Sequence, residues 1–186
     1  MEKKIPKLQN GDIVCVTYRM ADDPDENKYF QALLSYGIRK TQCFNDVDGK
    51  ATFTHTFIIV DAKKATTFEA LWTYKHQRMF DVYAGQEVII GRNKNLDPKK
   101  FRTAYNELSK KYTGKRYPVW KFPVFLFTPR LLKYLPGKPV CSEHALLHWY
   151  EAGAINHWKG VTPSYVADMI RRWETVEQIY QGRLPK

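Results

Sequence analysis

The chain has 186 residues, 44% of them hydrophobic and 26% charged. That is enough apolar material to bury a core without disulfide or metal staples, and it excludes a disordered chain. The net charge is +11, from 30 Lys and Arg against 19 Asp and Glu. The basic residues are dispersed, in short pieces such as Lys99-Lys100, Lys110-Lys111 and Arg171-Arg172. Charge therefore allows an anionic surface as partner but makes no basic tail. Three cysteines, Cys15, Cys43 and Cys141, are too few and too irregular for a disulfide framework, which points to a reducing compartment. The polar start, Met1 to Asn10, has no signal-peptide character, and runs such as Phe57 to Val60 are too short to cross a bilayer. A cytoplasmic location is expected, with delivery by a non-classical or phage route left open. No internal repeat is present, and one domain over residues 1–186 is expected.

In chain order, Gly11-Asp12 is a turn before the β-rich run Ile13 to Tyr18. Tyr29, Ala32, Leu33 and Tyr36 repeat at helical spacing and predict a helix over Asn27 to Arg39. Phe53 to Asp61 is the clearest strand, with His55, Phe57 and Ile59 on one face. Thr66 to Thr73 reads as its hairpin partner, with Glu69 and Leu71 opposite Phe68, Ala70 and Trp72. Glu87 to Arg92 is a further strand. Asp97-Pro98 opens a helix as N-cap and first helical residue, and Gly114 stops it. After a proline-broken aromatic stretch, Cys141 to Tyr150 reads as a buried helix ended by Gly153. Thr162-Pro163-Ser164 caps a last helix, Tyr165 to Arg172, before a strand, Glu174 to Tyr180. Strands and helices are segregated, so the class is α+β and not an alternating parallel sheet.

Cys141 opens its helix directly after the loop Pro136 to Val140. The free N–H groups and the dipole of a helix N-terminus favour a thiolate, the nucleophilic form, and can also hold an oxyanion. His55, near the start of its strand, is the candidate base. Glu69, on the neighbouring strand, is placed to orient the imidazole across the hairpin.

These residues form a series: Gly11-Asp12-Ile13, Thr54-His55 before Phe57-Ile58-Ile59, Phe68-Glu69-Ala70, Val88 to Arg92, Val140-Cys141-Ser142-Glu143 and Thr162-Pro163-Ser164. The series resembles the circularly permuted, NlpC-type branch of the papain-like cysteine hydrolases, the YiiX-like proteins, with lecithin–retinol acyltransferase as a more distant relative. The resemblance spans roughly Gly11 to Tyr180. It implies a papain-like antiparallel sheet with the cysteine helix packed on it, and Cys141, His55 and Glu69 as nucleophile, base and orienting group. It also implies a thiol hydrolase (amidase, peptidase or esterase) or acyltransferase that works through an acyl-enzyme and needs no cofactor. The partners implied are a peptide, a cell-wall peptide or an acyl-lipid substrate. Two departures stand out. Asp22 to Lys50 is a long insertion, and Tyr117-Pro118 replaces a Tyr-Asp pair, which leaves open whether Tyr117 contributes to the oxyanion site.

Two other readings start from the residues. Cys141, His144 and His148 fall within a roughly 60° arc of one helix and suggest a zinc site, with His157 or His76 as fourth ligand. The basic charge with Trp72, Tyr74, Tyr112, Tyr117 and Trp120 suggests a non-catalytic binding protein on the same fold, for a lipid, a peptide stem or nucleic acid. No phosphate loop or RNA-binding signature accompanies those aromatics, so nucleic acid is the least supported partner.

Overall fold

The computed structural model of the chain describes residues 5, 7–17, 53–121, 131 and 134–185. The helix expected over Asn27 to Arg39, the insertion from Asp22 to Lys50 and Cys43 lie outside the described residues. The elements are β1 (Ile13–Val16), β2 (His55–Asp61), β3 (Thr66–Ala70), β4 (Tyr74–Arg78), α1 (Met79–Tyr83), β5 (Glu87–Asn93), α2 (Pro98–Tyr112), α3 (Cys141–Glu151), α4 (Pro163–Arg172) and β6 (Val176–Arg183). A short 3-10 turn covers Val119–Lys121. The class is α+β, as the sequence predicts. The six strands form one antiparallel sheet in the order β4-β3-β2-β1-β5-β6.

Both faces of the sheet are covered. Ile13, Cys15, Ile58, Phe68 and Ile89 meet α2, α3 and α4 through residues such as Phe101, Leu146, Trp149 and Ile170. Val14, Phe57, Ile59, Val88 and Ile90 meet Leu8, Met79, Tyr83, Tyr180 and Leu184. Strand residues of alternate parity feed the two layers, which is the period of two at work. The longer helices obey their local signals. The Asp97 side chain accepts from the N–H groups of Lys99 and Lys100, with Pro98 at the first helical turn. Thr162 accepts from the Tyr165 N–H at the start of α4. Among the described residues, no helix is long and apolar enough to cross a membrane.

Two contacts fix the helix layer to the sheet. A side chain at Gly91 would overlap Ile170 Cγ1, so the absence of a Cβ there lets α4 lie against β5. The Trp149 indole donates to the Gly11 carbonyl at 2.8 Å and ties α3 to the turn before β1. That turn is itself clamped: Arg92 donates to both Asp12 oxygens, each at 2.8 Å, and the Gln9 N–H adds a third bond at 2.7 Å. A bidentate pair of this kind gives direction as well as energy.

The structure departs from the sequence expectation after Ala70. The strand expected to run to Thr73 ends there, the Leu71 N–H bonds to the Thr73 carbonyl at 3.1 Å, and the chain returns as β4. β4 is an edge strand whose one fully buried side chain is Tyr74, so it shows no apolar alternation. The five-residue α1 that follows has only Met79 and Tyr83 buried and no capping side chain.

Candidate active site

His55 is the first residue of β2 and is 4% exposed. Its partner strand β3 brings Glu69, which is fully buried, to within 2.9 Å of His55 Nε2. A buried carboxylate needs donors to offset the loss of water. Glu69 has three: Thr67 Oγ1 donates to Oε1 at 2.6 Å, and Oε2 accepts from both the His55 ring and the Tyr83 hydroxyl. Sequence reasoning found Glu69 but neither Thr67 nor Tyr83. Thr67 was open to discovery, because it stands two residues before Glu69 on the same face of the strand. Nothing local marks Tyr83, whose helix was itself not foreseen.

With Nε2 engaged by Glu69, Nδ1 is the ring nitrogen left for Cys141, to which His55 is hydrogen-bonded. Burial pushes the imidazole down, yet the bonds to Cys141 and Glu69 outweigh it and raise His55 to about 9. The three residues picked from the sequence are therefore brought together: Cys141 touches His55, and His55 touches Glu69.

Cys141 is the first residue of α3, which packs on β2 and β3. Val140, the residue before the helix, offers no capping side chain, so the leading amides must be satisfied by other groups. Glu143 does part of this by accepting from the Val140 N–H at 3.1 Å, and it also holds the Gly160 N–H at 2.9 Å. Burial raises the Glu143 carboxyl, against the pull of these amides and of Lys121 4.0 Å away. The Cys141 N–H bonds to the Tyr117 hydroxyl, and burial beside Cys141 raises that phenol well above its usual range. Tyr117 thus stands at Cys141 despite the altered residue after it. Cys141 is 6% exposed against 0% for Cys15, whose thiol burial pushes up to about 12. Of these two buried cysteines, Cys141 is the one hydrogen-bonded to a histidine, while Cys15 meets the Thr56 hydroxyl.

His144 and His148, one turn apart on α3, are both fully buried. The His148 Nδ1–H donates to the His144 carbonyl at 2.9 Å, while Nε2 of His148 and both ring nitrogens of His144 have no partner. Their rings, 4.9 Å apart and nearly perpendicular, pack edge-on around Phe68. His76 stacks on the same Phe68 ring but bonds to the Tyr105 hydroxyl at 3.0 Å. Among the described residues, no three His, Cys, Asp or Glu side chains are grouped as metal ligands, so Cys141, His144 and His148 do not assemble the zinc set their spacing suggests.

No protein-family model matches the chain, and no curated protein matches it in sequence. A solved structure does match in three dimensions. The crystal structure of the metalloprotein yiiX from Escherichia coli O157:H7 superposes with a TM-score of 0.52 at 16% identity. The match covers 97% of this chain and 89% of that one. The fold is YiiX-like. At this identity the likeness establishes the sheet and the helices on it. The contacts among Cys141, His55 and Glu69 are a feature of this chain's own geometry within the YiiX-like frame.

That geometry sets an expectation for Glu69→Gln. The amide keeps the size but carries a donor at one end, and both carboxylate oxygens already receive donors. The Thr67 hydroxyl can turn towards the Gln77 carbonyl and accept from the new amide, but the anion that faced the imidazole is gone. Turnover is expected to fall roughly 10²- to 10³-fold, less than on loss of the nucleophile. Steady-state kinetics alongside circular dichroism checks this, and unchanged kinetics would remove Glu69 from the site.

Proposed function

We propose that the protein is a thiol hydrolase or acyltransferase, with Cys141 as nucleophile, His55 as base and Glu69 as the group that orients His55. The observation that carries this reading is the continuous chain of hydrogen bonds from Cys141 through His55 to a buried Glu69. With His55 raised to about 9, the ring is an imidazolium at neutral pH. A cation against the sulfur favours the thiolate. The Nε2–H donated to Glu69 fixes the ring so that Nδ1 exchanges the proton with Cys141.

In this mechanism the thiolate attacks a carbonyl carbon, and the C=O electrons move onto oxygen. The Tyr117 hydroxyl, which accepts the Cys141 N–H at the start of α3, keeps its own proton to donate to that charge. The imidazolium then protonates the leaving group as the tetrahedral intermediate collapses to a thioester. Neutral His55 next removes a proton from water or another acceptor, and the acyl group leaves Cys141. We further propose the relation to permuted NlpC-type hydrolases and lecithin–retinol acyltransferase. Their substrates make an amide, ester or thioester of a peptide or lipid the class to test.

The yiiX structure is that of a metalloprotein. Here the described residues offer two imidazoles with free nitrogens and no third ligand beside them. They do not fit a metal centre, and no step of the mechanism is routed through one.

A thiol probe separates an enzyme from a binding protein on the same fold. Iodoacetamide is expected to alkylate Cys141 at about pH 6–7, where an ordinary thiol reacts little. Cys15, pushed up to about 12, should stay unlabelled. Peptide mapping by mass spectrometry reads the site. Labelling of Cys141 no faster than a free thiol would favour the binder.

A further inference from the structure

The donors on Glu69 come from different parts of the fold. Thr67 is two residues away on the same strand, so its bond at 2.6 Å is local to β3. Tyr83 arrives from α1, the short helix that follows β4 in the chain. Its hydroxyl donates to Oε2, the same oxygen that receives His55 Nε2. The Tyr83 ring stacks on Phe57, with centroids 4.8 Å apart and planes 16° apart, and lies 6.3 Å from the His55 ring. The stack accounts for an aromatic ring at this place; a phenylalanine would supply it equally. The hydroxyl is what needs a reason.

Resting on the thiol-hydrolase reading, we propose that Tyr83 is a positioning residue for the Cys141–His55 pair, its hydroxyl fixing Glu69 Oε2 where that oxygen accepts from the His55 ring. An oxygen that accepts Nε2–H leaves Nδ1 to exchange the proton with Cys141. An oxygen turned away from Nε2 lets the ring rotate or carry its neutral-form proton on Nδ1, facing Cys141, where it could not act as base. Glu69 is fully buried, so its oxygens depend on the protein for donors, and each donor fixes the direction of the oxygen it holds. Thr67 holds only Oε1. Tyr83 guards Oε2, the oxygen His55 uses.

Among the described residues, Glu69 faces His55 from β3, Tyr83 from α1 and Cys141 from α3; His144 of α3 acts on the imidazole through space, and Tyr74 and Tyr117 act on Cys141. His144 is held neutral by its burial, and Glu69 with the Tyr83 hydroxyl holds the Nε2 side of the ring, opposite Cys141.

The test is Tyr83→Phe, which keeps the ring stack and removes the hydroxyl, followed by the rate of iodoacetamide alkylation of Cys141 against pH. The acid limb is expected to move upward by about one pH unit, so that labelling at about pH 6 falls roughly tenfold while the alkaline plateau changes little. Site-specific 3-fluorotyrosine at position 83 preserves the stack, donates more strongly and should move the limb downward; it also serves if Tyr83→Phe does not fold. Phe57→Leu removes the stacking partner and leaves the hydroxyl, so it should lower the melting temperature without moving the limb. A limb unmoved in both Tyr83 variants, or moved as much by Phe57→Leu, overturns the positioning role while leaving the hydrolase reading intact. Absence of selective Cys141 labelling in the unmodified protein overturns the hydrolase reading, and the role of Tyr83 falls with it.

Discussion

Cys141→Ser and His55→Ala should each abolish hydrolysis, with a loss on the order of 10⁴-fold or more, while Cys15→Ser and Cys43→Ser leave it near its starting value. Serine at position 141 keeps the shape of the side chain but presents an alcohol, which His55 cannot hold as an anion. Alanine at position 55 removes the cation beside the sulfur and the acid that protonates the leaving group. The two residues act as a unit, so the double variant should be little worse than either single one. Cys15 lies in the core of the sheet, 3.5 Å from the Thr56 hydroxyl and away from solvent. Its replacement touches packing, not chemistry. Assays of all five variants on model amide, ester and thioester substrates, with thermal melts to confirm the fold, give the reading. Full activity in folded Cys141→Ser would discard the cysteine nucleophile.

The second large effect concerns stability in acid. Burial holds His144 well below its usual value and lowers His148 to about 4 from 6.5. The unfolded chain takes up protons near 6.5, and the folded chain resists until about 4 at His148. These groups thus contribute stability above 6.5 that is withdrawn as the pH falls towards 4. At 1.36 kcal/mol per unit, His148 alone accounts for roughly 3 kcal/mol. His55 has the opposite sign. Raised to about 9, it stabilises the fold below 6.5, and that contribution is lost as the pH rises through 9. The protein should therefore be most stable near neutrality and lose stability on both sides. His144→Leu with His148→Leu is expected to flatten the acid side and, by removing three unpartnered buried nitrogens, to raise neutral-pH stability by about 1–3 kcal/mol. Urea titrations between about pH 4 and 10 test these statements. An acid limb as steep in the double variant as in the parent would assign the loss to other groups.

Much of the architecture was legible because local signals agreed with the tertiary environment. Asp97-Pro98 opens α2 and caps it as predicted. The β-branched run around Ile58 and Ile59 is the strand that carries His55, and it pairs with the strand that carries Glu69. What could not be read was set by contacts far away in sequence. β4 is polar along most of its length and owes its place to pairing with β3. α1 has no capping side chain, so Tyr83 and its bond to Glu69 emerge only once the chain is folded. The spacing of Cys141, His144 and His148 on one helical face left two uses open, a zinc set or separate roles. Cys141 turns to His55, and the two histidines pack as rings around Phe68.

The strand pairing also fixes when reactivity can arise during synthesis. His55 and Glu69 are only 14 residues apart, and their hairpin can close as soon as β3 has been made. Cys141 follows much later in the chain, on a helix whose docking needs Trp149 to reach the Gly11 carbonyl at the opposite end of the sequence. A nascent or truncated chain therefore holds His55 and Glu69 without Cys141. A thiol exposed before α3 docks has no imidazole beside it, so the Cys141–His55 pair forms only with the long-range contacts.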